Sequence, residues 1–146
     1  MDSNTMWIRG NLVADPIHRM VANGSKVANF RLASNTSRRD PTTGEWSTTE
    51  TLFMDVTCWR RLADNVKRSL HKGDAVEVRG RLRQRNYEDA NKNIVTRFEL
   101  DAYSVTPDLN RAWVEIKRPE RVVPVQAPPP DPNEWTEPAQ ADEAAA

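Results

Sequence analysis

The 146-residue chain has little of what catalysis, metal binding or export ordinarily requires. It holds one cysteine, Cys58, so no disulfide can close within it. Cys58 falls on the apolar face of its strand, which suits a buried, inert thiol better than a reactive one. The two histidines, His18 and His71, lie far apart and lack Cys or carboxylate neighbours at ligand spacing, which argues against a metal site. There is no phosphate-cradling glycine loop and no nucleophile elbow, and no pair of carboxylates stands out. No apolar run approaches the roughly 20 residues that span a bilayer. Met1 to Thr5 lacks the basic and apolar parts of a secretory signal. These absences lead to the expectation of a cytoplasmic protein that is not an enzyme and uses no cofactor, metal or membrane.

Net charge is also absent as a sum, but not as a pattern. All 21 Lys and Arg lie at or before Arg121, together with 16 of the 21 Asp and Glu, so the body carries +5 and residues 122–146 carry −5. A basic body with an acidic tail suits a polyanion partner for the body.

The informative stretch is Thr51–Trp59, Thr-Leu-Phe-Met-Asp-Val-Thr-Cys-Trp. Read with a period of two, Leu52, Met54, Val56 and Cys58 form an apolar inward face, and Phe53, Asp55, Thr57 and Trp59 face out. Large aromatics on a wet face need a partner: a helix, a second subunit, or flat ligands such as nucleobases.

Other strands follow the same rule. Met6–Val13 directs Met6, Ile8, Gly10 and Leu12 inward, with Gly10 at a bend, and Ile17–Val21 reads as a short continuation. Ala22–Ser25 is a hairpin-type turn. Val27–Ser34 sends Ala28, Phe30 and Leu32 inward and Asn29 and Arg31 outward. Asn35–Glu50 is polar and long for a hairpin loop, and it offers Arg38, Arg39 and Trp46. Arg60–His71 changes to helical spacing through Leu62, Ala63, Val66 and Leu70, and Lys72-Gly73-Asp74 stops it with Gly73 as C-cap. Ala75–Arg83 is a strand with a bend at Gly80 and an outward stripe of Arg79, Arg81 and Arg83, spaced about 7 Å apart. Gln84–Asn93 reads as a turn-rich connection with Arg85, Tyr87 and Lys92. Ile94–Val105 places Ile94, Thr96, Phe98, Leu100 and Ala102 inward and Arg97 and Glu99 outward. Ala112–Ile116 reads as a short sixth strand. From Pro119 the chain is rich in Pro, Ala and acidic residues and should be disordered.

Five short strands, one helix after the third, and glycine bends predict an all-β fold with one helix: a five-stranded Greek-key barrel of the OB type. Residues 1–118 form this domain, with the extra strand at about 112–116, and residues 119–146 the tail. Phe53, Trp59 and Tyr87 are the candidate stacking residues. Arg31, Arg38, Arg39, Arg79, Arg81, Arg83, Arg85, Lys92 and Arg97 are the candidate phosphate contacts. The combination suits a single strand, because cations track the backbone while aromatics stack bases. Against it stand simpler roles: Trp59 covered by the helix, Tyr87 an exposed loop aromatic, the arginine stripe a solvated face. Trp46 is open between the two, and Trp7 suits packing between subunits.

Several pieces together resemble the bacterial single-stranded-DNA-binding protein family. They are Gly10-Asn11-Leu12 with Asp15-Pro16; Val27-Ala28-Asn29-Phe30-Arg31-Leu32-Ala33-Ser34; Trp59-Arg60-Arg61-Leu62-Ala63; and Lys72-Gly73-Asp74 leading to Val78-Arg79-Gly80-Arg81-Leu82. Ser34-Asn35, Cys58-Trp59 and Pro107-Asp108-Leu109 are similar to actinobacterial members, including their second, paralogous kind. The resemblance implies an OB-fold homotetramer in the nucleoid. It implies sequence-tolerant binding of single-stranded DNA in replication, recombination and repair, and a clamp strand between subunits at Ala112–Ile116. Three of the family's four stacking positions align with Phe53, Trp59 and Tyr87; the fourth falls at Arg38. The family's acidic tip ends in Ile/Leu-Pro-Phe, which repair and replication proteins recognise; this chain ends Asp142-Glu143-Ala144-Ala145-Ala146, and Trp135 is the candidate substitute anchor. The altered tail and missing aromatic leave an alternative: an OB-fold interaction module that binds DNA weakly and recruits proteins.

Overall fold

The strands arise from the period-two pattern and run further than the pattern does. In the computed structural model, which describes residues 3–119, the order is β1 (Thr5–Leu12), β2 (Ile17–Met20), β3 (Lys26–Arg39), β4 (Trp46–Trp59), α1 (Arg60–Ser69), β5 (Ala75–Glu88) and β6 (Ile94–Pro107). The sheet order is β1-β5-β6-β4-β3-β2, and β1 pairs with β3 as well. That last pairing closes five strands into a barrel and leaves β2 as an outer strand bonded to β3. The result is an OB fold, all-β apart from one helix. No helix among the described residues is long and apolar enough to cross a membrane.

Two glycines make the closure. Thr5–Asn11 of β1 pair with β5, while Asn11 and Leu12 also pair with β3. Gly10 sits at this switch, where a Cβ would stand 2.6 Å from the Ala33 carbonyl oxygen. At Gly80 the β5–β6 register shifts, and a Cβ would overlap the Asp101 backbone carbonyl. Both expected bends are therefore places where another backbone comes too close for a side chain.

The core forms on the inward faces: Ile8, Leu12, Phe30, Leu32, Val56, Val78 and Leu100 are buried there with Cys58. Helix α1 adds Ala63, Val66 and Leu70. Each fully buried Val or Leu contributes roughly 1.5–3 kcal/mol relative to exposure. Polar contacts seat the helix further: Asp64 binds His18 Nε2 at 2.9 Å and Lys26 Nζ at 3.3 Å, and Lys67 Nζ donates to the Pro16 carbonyl at 3.0 Å.

Several sequence expectations are corrected. Asn35–Glu50 is not a long loop, because β3 continues to Arg39 and β4 starts at Trp46. Likewise β5 runs to Glu88, so Gln84–Glu88 is strand, and the turn is Asp89–Asn93. These ends project past the barrel, where both faces meet water, so their residues are mostly polar and carry no alternation. For the same reason Leu52, Ile94, Thr96 and Phe98 are exposed although their parity is inward. Thr57, of outward parity, is buried. Gly73 is not the C-cap; Leu70 is, in extended conformation. Gly73 instead takes φ +91° in the turn into β5, where its N–H donates to the Leu12 carbonyl at 2.8 Å. The strand expected at Ala112–Ile116 is one between subunits, and within the single chain residues 112–119 carry no strand pairing. A strand needs a partner edge for its backbone groups, and Ala112–Ile116 pairs with none among the described residues. Residues 3–114 belong to one compact unit. The tail expectations, Trp135 included, lie outside the described residues.

Candidate nucleic-acid interface

The outward faces of β3, β4, β6 and β5 make one continuous surface. Register sets its rows. Arg31, Asp55, Glu99 and Arg83 lie side by side across the four strands, and Asn29, Thr57, Asp101 and Arg81 form the next row. Phe53 stands one step along β4 from Asp55, and Tyr87 two steps along β5 from Arg83, both toward their hairpin tips.

The three candidate stacking rings are accessible: Phe53 is 50% exposed, Trp59 40% and Tyr87 41%. Trp59 is also the N-cap of α1, and Arg60 turns the chain there at φ 58°. The helix therefore starts beside Trp59 without covering it. Arginines lie over two of these rings. The Arg31 guanidinium is 5.0 Å from the Phe53 centroid, and that of Arg97 is 5.4 Å from the Tyr87 centroid.

The cations fall into two groups. Arg83 binds Asp101 at 2.8 Å, Arg85 binds Glu99 at 3.2 Å, and Arg31 approaches Asp55 at 3.7 Å. The Asp101 hydrogen bond, with its charge, raises the Arg83 pKa above its ordinary value. Arg79 and Arg81 have no carboxylate partner among the described residues. Arg38 and Arg39 end β3 at the hairpin tip, where Arg39 Nε donates to the Gly44 carbonyl at 3.3 Å. Lys92 sits in the β5–β6 turn at φ 62°. Beneath the surface, burial pushes the Cys58 thiol up to about 12, with the Asp101 charge adding to the effect. Among the described residues no group of three His, Cys, Asp or Glu is placed to hold a metal ion.

Residues 3–108 match the model of the single-strand binding protein family. The chain belongs to that family. It is 43% identical over 120 residues to the single-stranded DNA-binding protein of Corynebacterium glutamicum, covering 82% of this chain and 53% of that one. It is 42% identical over 109 residues to single-stranded DNA-binding protein 2 of Streptomyces coelicolor, covering 75% and 55%. The chain thus spans about half the length of these two curated relatives. The crystal structure of a small single-stranded DNA-binding protein from Streptomyces coelicolor superposes with a TM-score of 0.67 at 32% identity, covering 77% of this chain and 100% of that one.

Within this single-strand binding family member, the structure brings Arg31, Phe53, Trp59, Tyr87, Arg81, Arg83, Arg85 and Arg97 onto one surface. Arg38, Arg39 and Lys92 lie at the hairpin tips. Trp46 is exposed at the start of β4, opposite Arg39. Trp7 lies elsewhere, on the outer wall of β1 opposite Arg79, with Arg9 5.7 Å from its ring centroid. Sequence reasoning missed the carboxylates. Asp55 and Glu99 were visible as outward positions, but Asp101 was not singled out, and nothing local showed that each would meet an arginine from another strand.

Proposed function

We propose that the protein binds single-stranded DNA without sequence preference and without catalysis, holding it unpaired and protected during replication, recombination or repair. One observation carries this reading: Phe53, Trp59 and Tyr87 are exposed on one barrel surface that also holds uncompensated Arg81. Bases stack on the rings, and Arg81, Arg38, Arg39 and Lys92 meet phosphates as candidate contacts. Arg83 and Arg85 serve phosphates only by sharing them with Asp101 and Glu99. The functional unit is a homotetramer in the cytoplasmic nucleoid, in which Ala112–Ile116 finds its strand partner on a neighbouring subunit. Residues 119–146 act as a tail that recruits repair or replication proteins.

A second reading has one observation in its favour. The arginines paired with Asp55, Glu99 and Asp101 leave the surface less cationic than its arginine count suggests, as an interaction module with weak DNA binding would have it. Titration of poly-dT, followed by tryptophan fluorescence at two salt concentrations, separates the two. Strong quenching with tight, salt-sensitive binding is expected. Weak binding with little quenching would reject the coat reading in favour of the interaction module.

A further inference from the structure

We propose that Arg31 and Arg97 are base-stacking residues: each guanidinium is the second wall of a slot whose first wall is Phe53 or Tyr87, and each slot takes one base. This rests on the single-stranded-DNA reading above, and it reassigns two cations that their sequence context allots to phosphates.

The same device is built twice, on two hairpins. Phe53 on β4 pairs with Ala33, and Arg31 lies two residues from Ala33 on β3, away from the tip. Tyr87 on β5 pairs with Val95, and Arg97 lies two residues from Val95 on β6, again away from the tip. In each case an arginine on the partner strand reaches diagonally over the ring. The centroid distances, 5.0 and 5.4 Å, lie within the roughly 6 Å range in which a guanidinium is held by the face of an aromatic ring.

Charge separates these two arginines from the phosphate ligands. Arg31 is flanked by Asp55 at 3.7 Å, which offsets its charge, while its guanidinium stays 5.0 Å from the Phe53 centroid. Arg97 lies directly opposite Arg85, whose own partner is Glu99, so the contact that Arg97 itself makes is with Tyr87. Arg81, by contrast, has neither a ring nor an ion-paired carboxylate among the described residues and is left to meet phosphates. Two stacked layers of about 3.4 Å each place the outer wall about 7 Å from the ring, so admitting a base moves the guanidinium outward by about 2 Å. The Arg31 side chain is 55% exposed, so the movement is into solvent, with the 3.7 Å contact to Asp55 giving way. A planar guanidinium then stacks on the base, as arginine does in single-strand recognition, and an ammonium cannot. Among the described residues Trp59 has no guanidinium over it, and it stays a one-sided platform.

The test compares R31K and R97K with the wild-type full chain in poly-dT titrations across a salt series. Because lysine keeps the charge and loses the plane, each variant should bind about five-fold more weakly with the wild-type salt slope. The losses from R31A and F53A should combine to less than their product, since either change dismantles the same slot. Lysine variants that bind like the wild type would overturn the slots. So would an R31A whose salt slope falls by about one and whose loss multiplies with that of F53A, the signature of a phosphate contact. Failure of the wild type itself to bind poly-dT would instead reject the underlying DNA-binding reading, and the slots with it.

Discussion

Asn29 on β3 faces Thr57 on β4, and its amide Nδ2 donates to the Thr57 hydroxyl at 2.9 Å. The pair lies in the middle of the outward surface, between the Arg31–Asp55 row and Trp59. Thr57 is 7% exposed there, a polar side chain taken out of water on a face that is otherwise wet. Thr57→Val keeps the shape and strands the Asn29 amide. We expect a loss of about 1 kcal/mol, since a partly buried donor loses its acceptor while the added methyl is accommodated. Urea unfolding at neutral pH measures it; an unchanged midpoint would mean that Asn29 finds another acceptor.

Gly80 and Gly24 should respond differently to alanine. At Gly80 the new Cβ meets backbone, the carbonyl of Asp101 and the Cα of Ala102, and backbone cannot rotate away. The loss should be about 2–4 kcal/mol, with the β5–β6 bulge distorted. At Gly24 the space is open and only φ +81° is at issue. There the cost is about 1 kcal/mol. Thermal melts of the two variants side by side give the ratio, and equal losses would refute the close approach at Gly80.

The stacking assignment makes a ranked prediction for binding. Phe53→Ala, Trp59→Ala and Tyr87→Ala should each weaken poly-dT binding by about 1–3 kcal/mol at fixed salt, while Trp7→Ala leaves it unchanged. Loss on Trp7→Ala, with none on the other three, would move the interface to the β1 wall.

Asp64 links stability to pH. Its carboxyl is held below the ordinary range, first by the His18 hydrogen bond and then by Lys26. A depressed folded-state pKa means that the unfolded chain takes up the proton first. The contribution is therefore present above about pH 4, the unfolded value, and is lost as pH falls through the folded value. The stability gap between wild type and Asp64→Asn should narrow over that acid range. A gap that does not change with pH would show that Asp64 acts by packing alone.

Cys58 reports unfolding. With the thiol pushed up to about 12 by burial, almost no thiolate forms in the native barrel at pH 8. Labelling by a thiol reagent should then follow global unfolding in rising denaturant. Fast labelling of the native protein would mean that β4 opens locally.

Much of the barrel was legible in the sequence because burial of one face writes itself as alternation. Ala28, Phe30 and Leu32, and Met54, Val56 and Cys58, are buried as their period requires, and Gly10 and Gly80 mark the bends. Where neither face is buried, alternation has no cause and the signal stops. That is why Ser37 to Arg39 and Trp46 to Glu50 read as loop, although cross-strand hydrogen bonds carry the hairpin through them. Leu52 and Phe98 kept the inward parity of their strands, but they sit where the barrel has already ended.

Residue types and local spacing determined by themselves the apolar faces of the strands, the single helix, the glycine bends and the outward positions of Phe53, Trp59 and the arginines, because each depends on neighbours within a few residues. Tertiary structure alone decided which β1 pairings close the barrel and which arginines meet a carboxylate. Arg83 and Asp101 are 18 residues apart in the chain, and the antiparallel register of β5 and β6 brings them to 2.8 Å. No local pattern encodes that distance, because it is set by which strands pair and in what register.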